Sequence, residues 1–446
     1  MSSQLILCGK MEEKLKRVPD STYHSLCTDA PYGLGDEPNI VEVMRDWVEK
    51  GYHEVKNSGG IMCLGWDAFV PQPLQWKEAY RTLRPGAYGL VACGTRTYDW
   101  MVASLRFAGF EIRDTICWHY GQGWPKSLNI SKAIDSHFNA ERPKEIKSVG
   151  DVSNARYIGK ATSPRVLKEV STDEAQTEEA KQFQGYGTAL KPATELWVLV
   201  RKPLEPGLTV AENVLKWGTG GLNIDACRID AEDGVPKFTH RAEKSVNVYG
   251  VHNESNRTGK IDTETGRFPS NLILDEFTTE IMNQQTGIRT TGAMLKPYTY
   301  TNNGSTYGKA SGKTKAFHES NTGYPSRFFY CAKPSKSEKN KGLEVAHVKS
   351  LIKSGEYDLL DETPQNTHVS VKPISLMRYF VRMVTPAGGT CLDCFAGSGT
   401  TGIACKLEGL DCVLIEMEED KCEIARHRID AWEPEPDIPP QLDLFA

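Results

Sequence analysis

The sequence has no long uncharged apolar run, no second Cys-x-x-Cys pair and no surplus of positive charge. A membrane-spanning helix needs about 20 consecutive apolar residues, and no apolar leader marks the chain for export, so the expectation is a protein of the cytoplasm. Cys391 and Cys394 form a Cys-x-x-Cys without the partner pair that a tetrahedral zinc site takes. The twelve cysteines are scattered, several in apolar runs such as Ile61-Met62-Cys63-Leu64, and read as reduced, buried thiols. A formal net charge of −5 excludes a wholly basic nucleic-acid coat protein. DNA binding stays open, because it depends on where the charges lie.

At 446 residues, 39% hydrophobic and 25% charged, the chain suits one large catalytic unit carrying an insertion. The stretch that organises it is Asp29-Ala30-Pro31-Tyr32, which follows a β-prone run from Tyr23 to Thr28. That places it at the carboxyl end of a parallel strand, where open α/β sheets bind ligands. A carboxylate, a carbonyl and an aromatic ring there suit the exocyclic amine of a nucleobase. The amine's lone pair is delocalised into the base, and acceptors that hold both N–H bonds draw the nitrogen toward tetrahedral geometry. The Asp29 side chain can take one N–H and the Ala30 carbonyl the other. A carboxylate of ordinary pKa, roughly 3.9, is too weak a base to strip a neutral amine, so the role is polarisation. Pro31 pushes Ala30 into the extended region and so aims its carbonyl. Tyr32 offers a face on which a base swung out of the duplex can stack, worth about 1–3 kcal/mol.

A second stretch lies near the other end. A strand from Gly389 to Asp393 leads into Asp393-Cys394-Phe395-Ala396-Gly397-Ser398-Gly399-Thr400, then a helix to Glu408 and a strand from Cys412 to Glu416. Glycines let a backbone approach a ligand, a helix amino end suits its polar part, and an acid about twenty residues on suits two ribose hydroxyls. That acid is Glu416.

These two stretches resemble the Asp-Pro-Pro-Tyr signature and the Phe-x-Gly-x-Gly loop of DNA amino-methyltransferases. Their order is similar to that of the β group of adenine-N6 and cytosine-N4 enzymes, many from bacteria and their phages. The resemblance covers residues 4–135 and 366–430, more weakly the segment between. Ala30 stands where the family has its first proline, and Cys394 where proline is common. Asn366 to Pro373 resembles the block His-Pro-Thr-x-Lys-Pro, again with a proline missing at Val369. The resemblance implies catalysis by Asp29, Ala30, Pro31 and Tyr32 without a metal. It implies S-adenosylmethionine held by Asp393, Phe395, Ala396, Gly397, Ser398, Gly399, Thr400 and Glu416, with Lys372 from the third block. It also implies an α/β fold with a circularly permuted, doubly wound Rossmann-like sheet. Moving residues 389–430 ahead of residues 4–32 restores strand, loop, helix, strand and acid in the usual order.

The expected organisation is a catalytic half at 1–135, a flexible insertion at 136–183 and the rest of the catalytic sheet at 184–229. Within these, Pro85-Gly86 reads as a turn, and Glu195 to Arg201 as a strand carrying Trp197 into the core. A target-recognition region at 230–365, a cofactor half at 366–432 and a tail at 433–446 complete it. Between 281 and 350 lie eleven basic and three acidic residues, interleaved with Tyr298, Tyr300, Tyr307 and Tyr324. Lys309, Lys313 and Lys315 there, and Lys126 in the loop from Gly121, are candidate phosphate contacts. A merely solvated insertion is the plain alternative. After a proline-rich spacer, Gln441, Leu442, Leu444 and Phe445 resemble the peptide by which bacterial replication proteins bind the sliding clamp.

The expected activity is methylation of adenine N6 in double-stranded DNA, because Asp leads the signature where cytosine-N4 members more often have Ser. Cytosine N4 is the nearest alternative, and a non-catalytic DNA- or clamp-binding protein that keeps the fold is another. Methylation of protein glutamine or of RNA goes with an Asn-led signature. The setting expected is a bacterial or phage-infected cell, as in restriction-modification, with a homodimer compatible with the chain.

Overall fold

The computed structural model describes residues 2–55, 65–121, 123, 127–150, 165–230, 266–290, 298–302, 310–314, 322–332, 338, 341 and 371–433. Nine strands form its main sheet: β1 (Gln4–Cys8), β2 (Tyr23–Thr28), β3 (Leu83–Cys93), β4 (Glu111–His119), β5 (Thr194–Arg201), β6 (Leu272–Asp275), β7 (Tyr330–Ala332), β8 (Thr390–Asp393) and β9 (Asp411–Glu416). Their spatial order is β1-β9-β8-β2-β3-β5-β4-β6-β7. The strands that come last in sequence, β8 and β9, therefore sit between β1 and β2. This is the permuted, doubly wound arrangement expected. All pairings are parallel except those of β5, which runs antiparallel between β3 and β4.

Alternation along the central strands separates two cores, because successive side chains leave a strand on opposite faces. Cys27, Leu90, Ala92, Trp197 and Leu199 join one cluster, with Tyr379 and Phe380 of the helix Ile374–Val384 and Ile403 of the helix Thr400–Leu407. Leu26, Val91, Cys93, Val198 and Val200 join the other, with Trp47, Trp76, Trp100 and Leu105. The second face is covered by the helices Ile40–Glu49, Pro73–Thr82 and Tyr98–Ala108. Asn39 starts the first of these by accepting from the Val41 and Glu42 N–H groups. Its Trp47 is fully packed and donates from Nε1 to Gln72 at 3.0 Å.

Three local features differ from the sequence expectations. Pro85 and Gly86, expected as a turn ahead of a strand, lie inside β3, where the pairing with β2 jumps from Tyr23↔Leu83 to Ser25↔Tyr88. Gly86, at φ +79°, absorbs the extra residues. The region 230–365, expected as a target-recognition unit, supplies β6 and β7, which extend the main sheet beyond β4. Residues 136–183 contain a ribbon, Lys144–Gly150 with Arg165–Ser171, and a helix, Glu178–Gln182. Their anchor is Asp135, 1% exposed, which accepts from Arg142 Nε at 2.7 Å and from the Gln176 and Thr177 N–H groups. Composition does not foretell one buried ion pair with its hydrogen bonds. Among the described residues no helix is long and apolar enough to cross a membrane.

Candidate active site

Parallel neighbours β2 and β8 end side by side, with Cys391 opposite Ser25 and Leu392 opposite Leu26. Each is buried along nearly its whole length, as strands at the centre of a sheet covered on both faces are. Their carboxyl ends carry Asp29-Ala30-Pro31-Tyr32 and the glycine loop, and a direct bond joins the two. Thr28, last residue of β2, donates its hydroxyl to Asp393 Oδ1 at 2.6 Å, and the Phe395 N–H donates to the same oxygen at 3.0 Å. Asp393 is 1% exposed, and burial pushes its carboxyl up to about 7 against the opposing Thr28, Thr401 and Phe395 hydrogen bonds. Through Oδ1 this carboxyl holds the two loops together.

The glycine loop is braced from two sides. The Gly397 N–H donates to Glu416 Oε2 at 2.8 Å and the Glu418 N–H to Oε1 at 2.9 Å, which fixes the acid at the end of β9. Burial raises the Glu416 carboxyl, opposed by these N–H bonds and by Lys421. Behind the loop, Arg428 is fully buried and donates from Nη1 to the Ser398 carbonyl at 2.6 Å and to its hydroxyl at 2.7 Å. Thr400 Oγ1 lies 3.3 Å from the same nitrogen. Gly399 takes φ +81°, and a Cβ there would sit 2.8 Å from the Ala425 Cβ. Its bare Cα therefore makes room for the last helix, Glu419–Asp430, whereas the sequence reading had both glycines making room for a ligand.

The Asp29-Ala30-Pro31-Tyr32 stretch is held as firmly. Asp67 accepts from the Tyr32 and Gly33 N–H groups at 2.8 and 3.0 Å, and Thr97 donates its hydroxyl to the Tyr32 carbonyl. Gly33, at φ +69°, lies so close to residues 69 and 70 that a Cβ would be 2.6 Å from the Val70 nitrogen. Ala30 is buried. The Tyr32 hydroxyl donates toward Asp29 Oδ1 at 3.3 Å, and burial, with Asp29 and Glu195 nearby, keeps it far above an ordinary phenol pKa and so protonated.

Lys372, assigned from the sequence to the cofactor, lies within this signature. Its Nζ is 3.0 Å from Asp29 Oδ2, 3.0 Å from Glu195 Oε2 and 3.0 Å from the Tyr32 hydroxyl. It also stands 5.3 Å from the centre of the Tyr32 ring. Burial opposes its charge, but the carboxylates of Asp29 and Glu195 outweigh that and hold it above the usual lysine value.

A family model described as DNA methylase, N6_N4_Mtase, matches residues 24–427. The chain belongs to this family of N6/N4 DNA methylases. Among curated relatives, the Type II methyltransferase M.SmaI of Serratia marcescens is 36% identical over 73 residues, 16% of this chain and 25% of that enzyme. The match thus spans a quarter of the relative's length. Solved structures similar to the chain include the cytosine-N4-specific PvuII DNA methyltransferase, with TM-score 0.39, 12% identity and coverage of 98% of this chain and 89% of that one. M1.HpyAVI has TM-score 0.36 and 11% identity, with 96% and 98% covered.

Five residues that hold this site together escaped the sequence reading: Thr28, Asp67, Thr97, Arg428 and Glu195. Glu195 is the second residue of β5, and because β5 runs against its neighbours its start lies at the edge where theirs end, a placement that the residues of β5 do not signal. Lys126, Lys309 and Lys315 lie outside the described residues, as do Gln441, Leu442, Leu444 and Phe445. Lys313 falls in the ribbon Tyr298–Asn302 with Ala310–Thr314, opposite Thr299.

Proposed function

We propose that this DNA methylase transfers a methyl group from S-adenosylmethionine to N6 of adenine in DNA. The observation that carries the reading is the Thr28 to Asp393 bond, which makes neighbours of the signature and the glycine loop. The residues at the loop suit that donor. Glu416 uses one lone pair of each oxygen on backbone N–H groups, leaving others for two ribose hydroxyls. Phe395, partly buried and held edge-on by Trp76 at 5.8 Å, offers apolar surface for an adenine ring.

S-adenosylmethionine supplies a methyl on a positively charged sulfur. The chain supplies orientation and polarisation. Tyr32 stacks the flipped adenine, and Asp29 with the Ala30 carbonyl accepts its two amine N–H bonds. The nitrogen lone pair forms the N–C bond while the S–C electrons stay on sulfur. Nitrogen then sheds one proton to Asp29, whose side chain is 22% exposed and can pass it to water. The leading Asp favours adenine over cytosine. Mass spectrometry of nucleosides from unmethylated DNA, incubated with protein and donor, tests this. N6-methyldeoxyadenosine is the expected product, N4-methyldeoxycytidine would move the assignment to cytosine, and no methylated nucleoside would overturn it.

The tail at 441–445 is proposed to recruit the enzyme to newly made DNA through a sliding clamp, with Leu442, Leu444 and Phe445 as apolar anchors. Deleting 441–446 should abolish clamp binding in a pull-down; unchanged binding would dispose of the idea.

A further inference from the structure

Asp29 meets a difficulty in the state described. Its Oδ2 is paired with the Lys372 ammonium and its Oδ1 accepts from the Tyr32 hydroxyl, so a lone pair remains on each oxygen but the charge is shared with a cation. A carboxylate paired with a cation at 3.0 Å has much of its charge cancelled. It is then a poor acceptor for an amine that is to gain positive charge. The lysine cannot simply be left without a partner, since an ammonium whose side chain is 5% exposed is costly when unpaired.

Glu195 resolves this. Its Oε2 lies 3.0 Å from the same ammonium, its side chain is 9% exposed, and Oε1 is fixed by the Trp197 indole N–H at 3.0 Å. Trp197 is itself fully packed under the sheet, so this carboxylate has a rigid footing. The three donors of an ammonium find three acceptors here, in Asp29, Glu195 and Tyr32. Burial raises the Glu195 carboxyl and the Lys372 ammonium opposes that shift; with both carboxyls ionised the trio carries a local charge of minus one. We propose that Glu195 is a positioning residue that holds Lys372 as counter-ion when Asp29 exchanges its ion pair for the amine of the target base, so that Asp29 meets the base with its charge restored. Lys372 in turn keeps its bond to the Tyr32 hydroxyl, and the ring stays in place for stacking. This role rests on the methyl-transfer reading and extends it to a residue that touches neither base nor donor.

The test is a double-mutant cycle on single-turnover methyl transfer to unmethylated DNA, with donor affinity measured by calorimetry. Glu195→Gln leaves Asp29 to neutralise Lys372 alone and should slow transfer by about tenfold to a hundredfold with donor affinity unchanged. Adding Lys372→Met removes the ammonium and should raise the rate again above that of the single variant. If Glu195 only braced Trp197, the second substitution would restore nothing. A wild-type rate for Glu195→Gln, or no recovery in the double variant, overturns the proposal. Should Glu195→Gln melt below the assay temperature, Glu195→Asp enters the same cycle. It retains the charge one methylene short and should lose several-fold, with the same recovery on removing Lys372. Absence of transfer by the wild-type protein in this assay would instead refute the methyltransferase reading itself.

Discussion

Thr28 and Asp393 are 365 positions apart in sequence and 2.6 Å apart in space. The carboxyl that joins them should leave a mark on stability. Its folded value of about 7 lies above the ordinary 3.8, so folding favours the protonated form. The contribution is fully present below 3.8 and is lost as pH rises through 7. Asp393→Asn does not titrate there. Wild-type stability measured against that variant by denaturant midpoints should therefore fall between pH 4 and 7 and level off above; a constant difference would contradict the burial of a titrating group. Arg428 offers a second test at this scale. Arg428→Met leaves the Ser398 carbonyl and hydroxyl without their buried donor. A loss of about 1–3 kcal/mol is expected for such an orphaned group, read as a lower melting temperature and weaker donor binding.

Among elements, the turn into the helix Thr400–Leu407 is the most tightly specified. Gly399→Ala forces a side chain into φ +81° and against Ala425, whereas Gly207, at φ +88°, has nothing within 4 Å of a new Cβ. Gly207→Ala should cost about 1 kcal/mol of strain, and Gly399→Ala about 1–3 kcal/mol more, for overpacking. Thermal melts of the two variants compare them directly; equal losses would mean that the last helix yields freely. The elements of this half were legible because each announces itself: β8 and β9 as apolar runs, the loop by its glycines, and Glu416 by its distance along the chain. Glu195 was legible as part of a strand and not as part of the site, since its place depends on β5 running antiparallel, which the residues of β5 do not reveal. Similarly, β6 and β7 have four and three residues, too few for alternation to separate a strand from an apolar patch in a loop. The anchoring of 136–183 centres on the buried Asp135, one residue among many exposed charges, and composition averages over it.

At the scale of the whole molecule, permutation is what brings the two ends of the chain together. The sheet order sets β8 beside β2 and thereby the glycine loop beside the signature. On the proposed function, donor binding and acceptor activation belong to different loops and should separate under mutation. The most direct measurement pairs calorimetric titration of S-adenosylmethionine with single-turnover methyl transfer for Asp29→Ala and Glu416→Ala. Asp29→Ala should bind the donor as the wild type does and transfer methyl at least about a hundredfold more slowly, while Glu416→Ala should lose donor binding first. Methyl transfer by Asp29→Ala at the wild-type rate would contradict the claim that these two loops enclose one reaction.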